Sequence, residues 1–508
     1  MSQIDQNIKL LEDGTLLTQQ EIELFSIVRE ICSQFNPPVI ARAAGGWVRD
    51  KLLGTPSDDL DIAVENTTGL SFAEKLKSYL STNSEDKDNT AKIVIIEANP
   101  EQSKHLQTAR VCLFNKFWVD ICGLRSETYA TDSRIPSQIK QGTPLEDAQR
   151  RDFTINALFF NINSNKLEDY TNGVHDLKAG ILRTPLDPEI SFGDDPLRVL
   201  RAFRFSSRLN FKLDDSLIPA ARKISTEFRR KIARERIETE LTKALEVSKE
   251  PYKLIEYFTE SNLFGPVFDC DENWNLDGKE AIERVKVVIS RKHYVIKFKN
   301  LFPENENESL SFANDIREKK LVLIMAAIYE PLLQRGYIRD SKRHNKKATA
   351  VEIAIAREIR LPVKFADEAY LLLSGISQAR QIMIDWKSDN KIDSLSECQP
   401  IQKSNLKRSA VGLWVKNLGA EWNYAKYLAL DDELFEFCLK ILEPFVIESN
   451  LENAYDMKPL LNGKELADLH GVNIGANLKP IINDLTKWQF DNPTATADDY
   501  IAFIKSQE

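Results

Sequence analysis

Asp59 and Asp61 lie two residues apart at the start of a short apolar run, and they are the side chains best placed to do chemistry. Because side chains alternate along a β-strand, both carboxylates project from one face, while Leu60 and Ile62 project from the other. Two neighbouring carboxylates repel each other unless a cation lies between them. Mg²⁺ prefers oxygen ligands and accompanies triphosphates, so the pair predicts a magnesium site.

A third acid, Asp120, lies within the apolar run Phe117–Ile121, where a buried carboxylate needs a reason. With Asp59 and Asp61 it would complete a two-metal arrangement, which activates an attacking hydroxyl and stabilises a leaving pyrophosphate. A turn or strand-end aspartate is the ordinary interpretation of a bare Asp-x-Asp. The third acid and a preceding glycine pair favour the catalytic interpretation.

The glycine pair is Gly45 and Gly46, which follow a β-like run and precede a short predicted helix. Glycine lets the backbone approach a ligand closely, and the start of a helix offers free N–H groups to a phosphate. Together with the acids, this order predicts nucleotidyl transfer. The chain contains no G-x-x-x-x-G-K-[ST] sequence, which disfavours a P-loop enzyme.

The elements that must position these residues change in character along the chain. Residues 1–37 predict a helical lead-in, in which Thr18 and Glu21 form a capping box. Residues 38–176 mix β-like runs with helices and predict a small head with a mixed sheet. Residues 177–250 and 251–508 show helical periodicity and predict a helical neck, then a helical body and tail. The predicted fold class is α+β.

Individual elements follow from periodicity. The predicted strands are Ile40–Ala44, Leu60–Val64, Ala91–Glu97, Ala109–Phe114 and Phe117–Ile121. The predicted helices after residue 176 are Leu197–Leu209, Leu217–Leu245, Lys319–Leu333, Lys346–Glu358 and Asp432–Leu442. Residues 81–90 and 122–146 are polar and lack periodicity, which predicts loose connections.

Composition limits the class of protein. The chain has 508 residues, 42% hydrophobic and 29% charged, which predicts a globular protein with more than one core. The sequence contains no apolar stretch of about 18 residues, so no transmembrane helix is predicted. The six scattered cysteines predict neither zinc nor disulfides. The N-terminus lacks a signal or transit character, which predicts an intracellular protein of cytoplasm, nucleus or both; a mitochondrial form from a longer precursor stays open.

The net charge of −9 argues against nucleic-acid binding unless a local basic surface exists. The helices that follow Asp195 supply one. Their basic residues are Arg201, Arg204, Arg208, Lys212, Arg222, Lys223, Arg229, Arg230, Lys231 and Arg234. Such a surface suits triphosphate and RNA backbone.

The segment Gly45–Gly54, followed by Asp59-Leu60-Asp61, resembles the first motif of the class II tRNA nucleotidyltransferases, the CCA-adding family of the polymerase-β-like superfamily. Later segments resemble the family's other motifs in the same order. These are Arg150–Ala157, Tyr170–Leu177, Asp194–Arg198 with Arg201 and Arg204, and Glu235–Leu241. The resemblance covers residues 38–245, and Lys487–Pro493 is similar to the fungal members.

The resemblance implies a polymerase-β-like head, a neck with a nucleotide-selecting pocket and a tRNA-binding body. It implies catalysis by Asp59, Asp61 and Asp120, with Mg²⁺ held by Asp59 and Asp61. The implied nucleotide-binding residues are Gly45, Gly46, Arg49, Arg151, Asp152, Asn156, Asp195, Arg198, Arg201 and Arg204. Structural support is implied for Asp194, Arg236 and Glu240; Asp194 stands where the family usually has glutamate.

Asp195 and Arg198 are expected to choose the base in place of a template. Asp195 before Pro196 predicts a helix cap, and Arg198 follows on the same helical face. A carboxylate accepts hydrogen bonds and a guanidinium donates them. Cytosine and adenine both present an amino donor beside a ring acceptor, whereas guanine and uracil present a carbonyl instead. A plain surface ion pair is the alternative for these two residues.

The expected activity is addition of CCA to the 3′ end of tRNA from CTP and ATP, by an enzyme we expect to be a monomer. Enzymes that add only CC or only A, and poly(A) polymerases, share these motifs and stay open as alternatives. A non-catalytic RNA-binding protein is the rival from another class. The presence of Asp59, Asp61 and Asp120 disfavours it.

Overall fold

The computed structural model describes residues 2–57, 59–83, 92–96, 108–113, 117–129, 136–268, 274, 276–301, 306–340, 346–393, 395, 405–472 and 478–507. The chain divides into two compact units, Met1–Val267 and Phe268–Glu508. The finer division into lead-in, head, neck and body stays a prediction. No described helix is long and apolar enough to cross a membrane.

A mixed sheet forms the centre of the first unit. The strands of this unit are β1 (Ala41–Ala44), β2 (Leu60–Val64), β3 (Lys92–Ile96), β4 (Thr108–Leu113), β5 (Phe117–Gly123), β6 (Arg125–Tyr129), β7 (Pro136–Gln141), β8 (Leu158–Asn161), β9 (Lys166–Asp169), β10 (Ile181–Leu182) and β11 (Lys212–Leu213). The described part of the sheet has the order β3-β4-β5-β2-β1-β8-β9. Strands β2 and β5 are parallel and the other neighbours are antiparallel. The α+β prediction and all five predicted strands are confirmed.

Helices surround the sheet and continue beyond it. They are α1 (Gln3–Glu12), α2 (Gln19–Ser33), α3 (Gly46–Leu53), α4 (Gly69–Asn83), α5 (Pro144–Gln149), α6 (Gly173–Ala179), α7 (Pro188–Asp194), α8 (Leu197–Leu209), α9 (Leu217–Ile224), α10 (Phe228–Lys231), α11 (Arg234–Val247), α12 (Pro251–Glu260) and α13 (Phe264–Phe268). The capping box of Thr18 and Glu21 is present at the start of α2.

The lead-in helices hold α3, the helix that follows the glycine pair. Glu21 of α2 accepts hydrogen bonds from Trp47 Nε1 at 2.8 Å and from Lys51 Nζ at 2.7 Å. Asn7 of α1 donates to the carbonyl of Leu52 at 2.9 Å. The Trp47 ring is buried, and burial of a large apolar side chain contributes roughly 2 kcal/mol. The position of α3 therefore depends on residues near the N-terminus.

Two predicted elements of the first unit are wrong. Residues 122–146 include the hairpin of β6 and β7 and the start of α5, although 130–135 lie outside the described residues. The predicted helix Leu217–Leu245 is broken into α9, α10 and α11. At the first break, the Ser225 hydroxyl donates to the carbonyl of Arg222 at 2.8 Å, a local bond that competes with helix continuation. Of 81–90, residues 84–90 lie outside the described residues.

The second unit is mainly helical. Its helices are α14 (Gly278–Leu301), α15 (Glu306–Tyr329), α16 (Ala350–Glu352), α17 (Val363–Asn390), α18 (Arg408–Leu418), α19 (Asp432–Phe437), α20 (Glu443–Glu448), α21 (Gly463–His470), α22 (Leu478–Asp491) and α23 (Ala497–Lys505), with a hairpin of β12 (Tyr337–Asp340) and β13 (Lys346–Thr349). The predicted helix Lys346–Glu358 is wrong at its start, where β13 pairs with β12. Helix begins only after Thr349, whose hydroxyl caps α16.

Candidate active site

A cleft of about 700 Å³ opens in the first unit beside α3 and α8. Most of the predicted site residues line it, namely Gly45, Gly46, Arg49, Asp59, Asp61, Arg151, Asp152, Asn156, Asp195, Arg198, Arg201 and Arg236. It is also lined by Trp47, Asp50, Pro56, Ser57, Arg125, Arg150, Leu197, Phe205 and Arg208. Asp120, Asp194, Arg204 and Glu240 do not line it, so each must act through, or beside, a lining residue.

The two acids of Asp-x-Asp lie at the floor of this cleft. Asp61 is the exposed residue of an otherwise buried strand β2, and its register partner across the parallel pair is Asp120 of β5. Desolvation by the cleft walls raises the pKa of Asp61 to about 6. The nearby charges of Asp120 and Asp59 also raise it, whereas Arg151 lowers it. The three acids therefore act on one another electrostatically.

This donor set fits a hard divalent cation. Carboxylates that repel one another are the ligands such an ion relieves, and the Arg110 guanidinium already lies 3.5 Å from the Asp120 carboxylate as a stand-in cation. Within the described ranges, no three acidic, histidine or cysteine side chains already enclose an ion-sized site. The carboxylates would therefore have to converge to share one ion.

Gly45 brings the backbone against the cleft. Its φ of 73° lies in the left-handed region that favours glycine. A Cβ at this position would lie 2.9 Å from Nη1 of Arg151. That guanidinium donates to the carbonyl of Asn156 at 3.3 Å. The glycine therefore leaves room for an arginine that faces the carboxylates.

Gly45→Ala is expected to lower nucleotide incorporation about tenfold to a hundredfold. The new methyl group would displace the Arg151 guanidinium, and even a small displacement of a group that positions the substrate lowers the rate. It should also cost about 1 kcal/mol of stability through backbone strain. Gly14→Ala is the matched control: φ is 88° there, but no atom lies within 4 Å of the added Cβ. Both variants should lose stability, measured by thermal unfolding, and only Gly45→Ala should lose activity. Equal activity in the two would contradict the role given to Gly45.

Asp152 and Asn156, at the turn Thr154–Asn156, connect α3 and α8 by a chain of hydrogen bonds. Asn156 donates to Asp152 Oδ1 at 3.0 Å, and Arg49 of α3 donates to Asn156. The other oxygen of Asp152 accepts from Arg201 Nε at 2.9 Å. Burial raises the pKa of the Asp152 carboxyl, but the charges of Arg201 and Arg198 and the hydrogen bonds from Asn156 and Arg201 together outweigh burial, so the net pKa is lowered. Asp152 is therefore an ionised acceptor at neutral pH.

Asp195 and Arg198 are each held by other residues of the pocket. Arg198 donates to the Ser191 hydroxyl at 2.8 Å and to the carbonyl of Arg150. Asp195 Oδ2 lies 3.3 Å from Arg236 Nη2, and Oδ1 accepts from the backbone N–H of Leu197 at 3.2 Å. The cap position of α8 belongs to Pro196, one residue after the predicted Asp195. Among the described ion pairs, none joins Asp195 to Arg198. The alternative of a plain surface pair is therefore wrong, and both side chains keep hydrogen-bonding capacity towards the cleft.

Arg204 and Glu240 lie behind the cleft wall. Glu240 accepts from Arg204 at 2.6 Å and lies 3.5 Å from Arg201. The guanidinium groups of Arg49, Arg201 and Arg204 lie 4.3–5.5 Å from the ring centre of Phe205, a range in which cations are attracted to the ring. Arg204 thus supports its neighbours, and direct nucleotide binding by it stays untested.

Two acids of this site were not singled out from the sequence. Asp147 accepts from Arg150 Nε at 2.9 Å and lies 3.0 Å from Arg151 Nη2. Glu127 of β6 lies 2.7 Å from Arg125 Nε and 3.6 Å from Arg150. The i,i+3 and i,i+4 spacing of Asp147 to the two arginines is a signal that could have found it. Glu127 had no such signal towards Arg150, because Arg150 belongs to a different element.

The lining residues give the cleft a positive balance, with eight arginines against five aspartates. Arg201 and Arg208 belong to the basic surface predicted from the sequence. A cleft of this charge attracts a triphosphate, while its acids attract a divalent cation.

Residues 41–183 match the family model for the poly A polymerase head domain. The chain is 32% identical to the mitochondrial CCA tRNA nucleotidyltransferase of Saccharomyces cerevisiae, over 97% of this chain and 95% of the relative. It is also 32% identical to a tRNA nucleotidyltransferase of Schizosaccharomyces pombe, over 92% of each. The fold matches that of the Thermotoga maritima CCA-adding enzyme solved in complex with tRNA, with a TM-score of 0.62, 20% identity and 98% of each chain covered.

Head, cleft and near full-length relatedness define a nucleotidyltransferase. The chain belongs to the family of the CCA tRNA nucleotidyltransferases.

Proposed function

We propose that this enzyme adds CCA to the 3′ end of tRNA, using CTP and ATP and releasing pyrophosphate, without a nucleic-acid template. The relatedness to CCA tRNA nucleotidyltransferases along nearly the whole chain carries the proposal. The cleft supports the proposal, because carboxylates, guanidinium groups and hydrogen-bonded polar side chains line one cavity.

The arginines of the cleft would bind the triphosphate and leave the α-phosphate facing Asp61. Arg151 and Arg49 are the candidates closest to the glycine pair, and α3 adds N–H groups at its start. Asp152, ionised and held by Arg201, would accept a hydrogen bond from the ribose. The chain would thus fix the nucleotide at both its sugar and its phosphates before transfer.

Base selection is assigned to Asp195 and Arg198. Asp195 would accept the amino group of cytosine or adenine, and Arg198 would donate to the ring acceptor beside it. Guanine and uracil would place a carbonyl against the carboxylate, and each buried unpaired polar group costs about 1–3 kcal/mol. Asp194 and Arg236 would hold this pair in place.

Family members use a divalent metal, and we assign Mg²⁺ to Asp59 and Asp61, with Asp120 beside them. Bound there, Mg²⁺ would lower the pKa of the attacking hydroxyl and neutralise charge on the leaving pyrophosphate. Asp120, the register partner of Asp61, would face the incoming hydroxyl.

Mg²⁺ dependence is expected to shift with pH. Because the pKa of Asp61 is raised to about 6 in the metal-free fold, lowering the pH through 6 protonates a ligand and opposes Mg²⁺ binding. The Mg²⁺ concentration for half-maximal CMP incorporation should rise about tenfold per pH unit below 6 and level off above it. Initial rates at pH 5.0–7.5 across Mg²⁺ concentrations measure this. A flat dependence would contradict the placement of the ion on Asp61.

The activity is tested with tRNA lacking its last three nucleotides, Mg²⁺, and the four nucleoside triphosphates singly and in pairs. Addition of three nucleotides that requires both CTP and ATP is the expected result. A stop after two C, or growth only from ATP on a CC-ended tRNA, would indicate a partial enzyme. A long A tail would indicate a poly(A) polymerase, and no incorporation a binding protein.

The second unit is proposed to bind the body of the tRNA. The chain is proposed to act as a monomer, and its relatives include mitochondrial enzymes by name, which supports a mitochondrial form of this one. Cell fractionation with an antibody against the chain tests the compartment.

A further inference from the structure

Trp118 and Arg110 form an exposed aromatic–cation pair on the sheet of the first unit. Trp118, the second residue of β5, is 39% exposed, whereas Val119 and Ile121, which project from the other face of the strand, are fully buried. The Arg110 guanidinium, from β4, lies 5.1 Å from the centre of the tryptophan ring. An exposed aromatic ring beside a guanidinium suits a flat ligand that carries a negative charge.

The pair adjoins the catalytic acids. Strand register places Asp61, Asp120 and Arg110 side by side across β2, β5 and β4. Trp118 lies two residues before Asp120 on the same face, about 7 Å along the strand. Asp61 lines the nucleotide cleft, whereas Asp120, Arg110 and Trp118 do not. Asp120 therefore lies between the cleft for the incoming nucleotide and the aromatic–cation pair.

Nucleotidyl transfer needs a second nucleotide beside the acids, because its 3′-hydroxyl must attack the α-phosphorus of the incoming nucleotide from the side opposite the leaving pyrophosphate. Nucleic-acid bases stack on aromatic side chains, and arginine binds the adjoining phosphate. Trp118 offers the ring and Arg110, 43% exposed at its side chain, offers the cation.

We propose that Trp118 and Arg110 bind the 3′-terminal nucleotide of the RNA acceptor. The terminal base stacks on Trp118, its phosphate pairs with Arg110, and its 3′-hydroxyl is held beside Asp120. This assignment rests on the proposed nucleotidyl transfer. It makes Trp118 a residue that binds the acceptor and leaves the incoming nucleotide to the arginine-rich cleft.

The test is a double-mutant cycle between the protein and the RNA. Full-length wild type, Trp118→Ala and Trp118→Phe are each assayed with tRNA lacking CCA, whose last nucleotide is either intact or abasic. Trp118→Ala should raise KM for the intact acceptor about tenfold, as loss of one stacked base predicts, and leave KM for CTP within about twofold. Trp118→Phe should lose much less. The abasic end should weaken wild type by a similar factor and Trp118→Ala no further.

Val247→Ala is the control, since Val247 is an exposed apolar side chain of the same unit, 46% exposed at the end of α11; its KM values should not change. Equal losses from the abasic end in wild type and Trp118→Ala, or a raised KM for CTP alone, would overturn the proposal. Equal KM values of wild type for the intact and the abasic acceptor would also overturn it, and this comparison does not depend on the folding of any variant. Acceptor affinity is also measured by fluorescence anisotropy without nucleotide. If wild type adds nothing, the proposed function fails, and the anisotropy cycle still decides on Trp118.

Discussion

Replacement of Asp61 by asparagine is expected to abolish nucleotide transfer. The single-turnover rate of CMP addition should fall at least about a thousandfold, which corresponds to about 4 kcal/mol of transition-state stabilisation. Asparagine keeps the size of the side chain but removes the charge that a divalent cation needs. The effect is expected at every Mg²⁺ concentration, because Asp59 and Asp120 occupy other positions and cannot replace the ligand lost at Asp61. Rapid-quench measurement with saturating CTP checks it.

The same substitution should not destabilise the metal-free protein. The pKa of Asp61 in the fold, about 6, lies above its ordinary value of 3.8. Above pH 6 the ionised carboxylate therefore costs stability, and the cost fades as the pH falls through 6. At pH 7.5 the Tm of Asp61→Asn should be equal to that of wild type or up to about 2 °C higher. The exposed Asp215 supplies the control Asp215→Asn, which should keep full activity. A marked fall in the Tm of Asp61→Asn would show that the Asp61 carboxylate stabilises the fold, which contradicts this prediction.

Replacement of Arg198 by methionine is expected to lower kcat/KM for CTP and ATP about a hundredfold. Arg198 is buried at the cleft wall and held by Ser191 and the Arg150 carbonyl. A hydrogen bond from a charged donor contributes about 1.5–3 kcal/mol, so loss of its donors to the base accounts for this factor. UTP and GTP, which are not expected to form those bonds, should lose far less. The preference for CTP over UTP is therefore the decisive quantity, measured by competition.

Two variants separate base selection from packing at Arg198. Arg198→Lys keeps the charge but not the planar fork of donors, so it should restore stability more than selectivity. Arg230→Met removes an arginine that is 65% exposed at its side chain and pairs with Glu227; it should change neither. If Arg198→Met lowered the rates for all four nucleotides equally, the residue would be a structural support and would not select the base.

Period-two and helical patterns were sufficient for much of the fold. Strand β2 has the predicted bounds because Leu60, Ile62 and Val64 are buried on one side. Helix α8 has the predicted bounds because an apolar stripe runs from Leu197 to Leu209. The hairpin of β6 and β7 was missed because its strands are polar. Its stability depends on contacts such as Glu127 with Arg150, and sequence spacing does not show those partners.

The candidate site was predictable where its members share a short segment. Asp59 with Asp61, and Gly45 with Gly46, are defined by spacing alone. The grouping of Asp152 with Arg201, 49 residues apart, followed only from the family resemblance. The ion-pair partner of Asp195 is another such case: the i,i+3 spacing offered Arg198 only as an alternative to base selection, and the structure places Arg236 from α11 beside Asp195. Burial decides such choices, because a guanidinium bonds to whichever carbonyl or hydroxyl the packing brings near.

The arginine-lined cleft belongs to a chain whose net charge is −9. Most RNA in a cell is a competitor that must be released quickly, and the net negative charge of the protein weakens its attraction for a polyanion away from the basic sites. Discrimination against ribosomal and messenger RNA can therefore begin at encounter, before any base is examined. Raising the ionic strength would screen the repulsion as well as the attraction, so moderate salt should blur this filter for wrong RNAs while it slows capture of the right one.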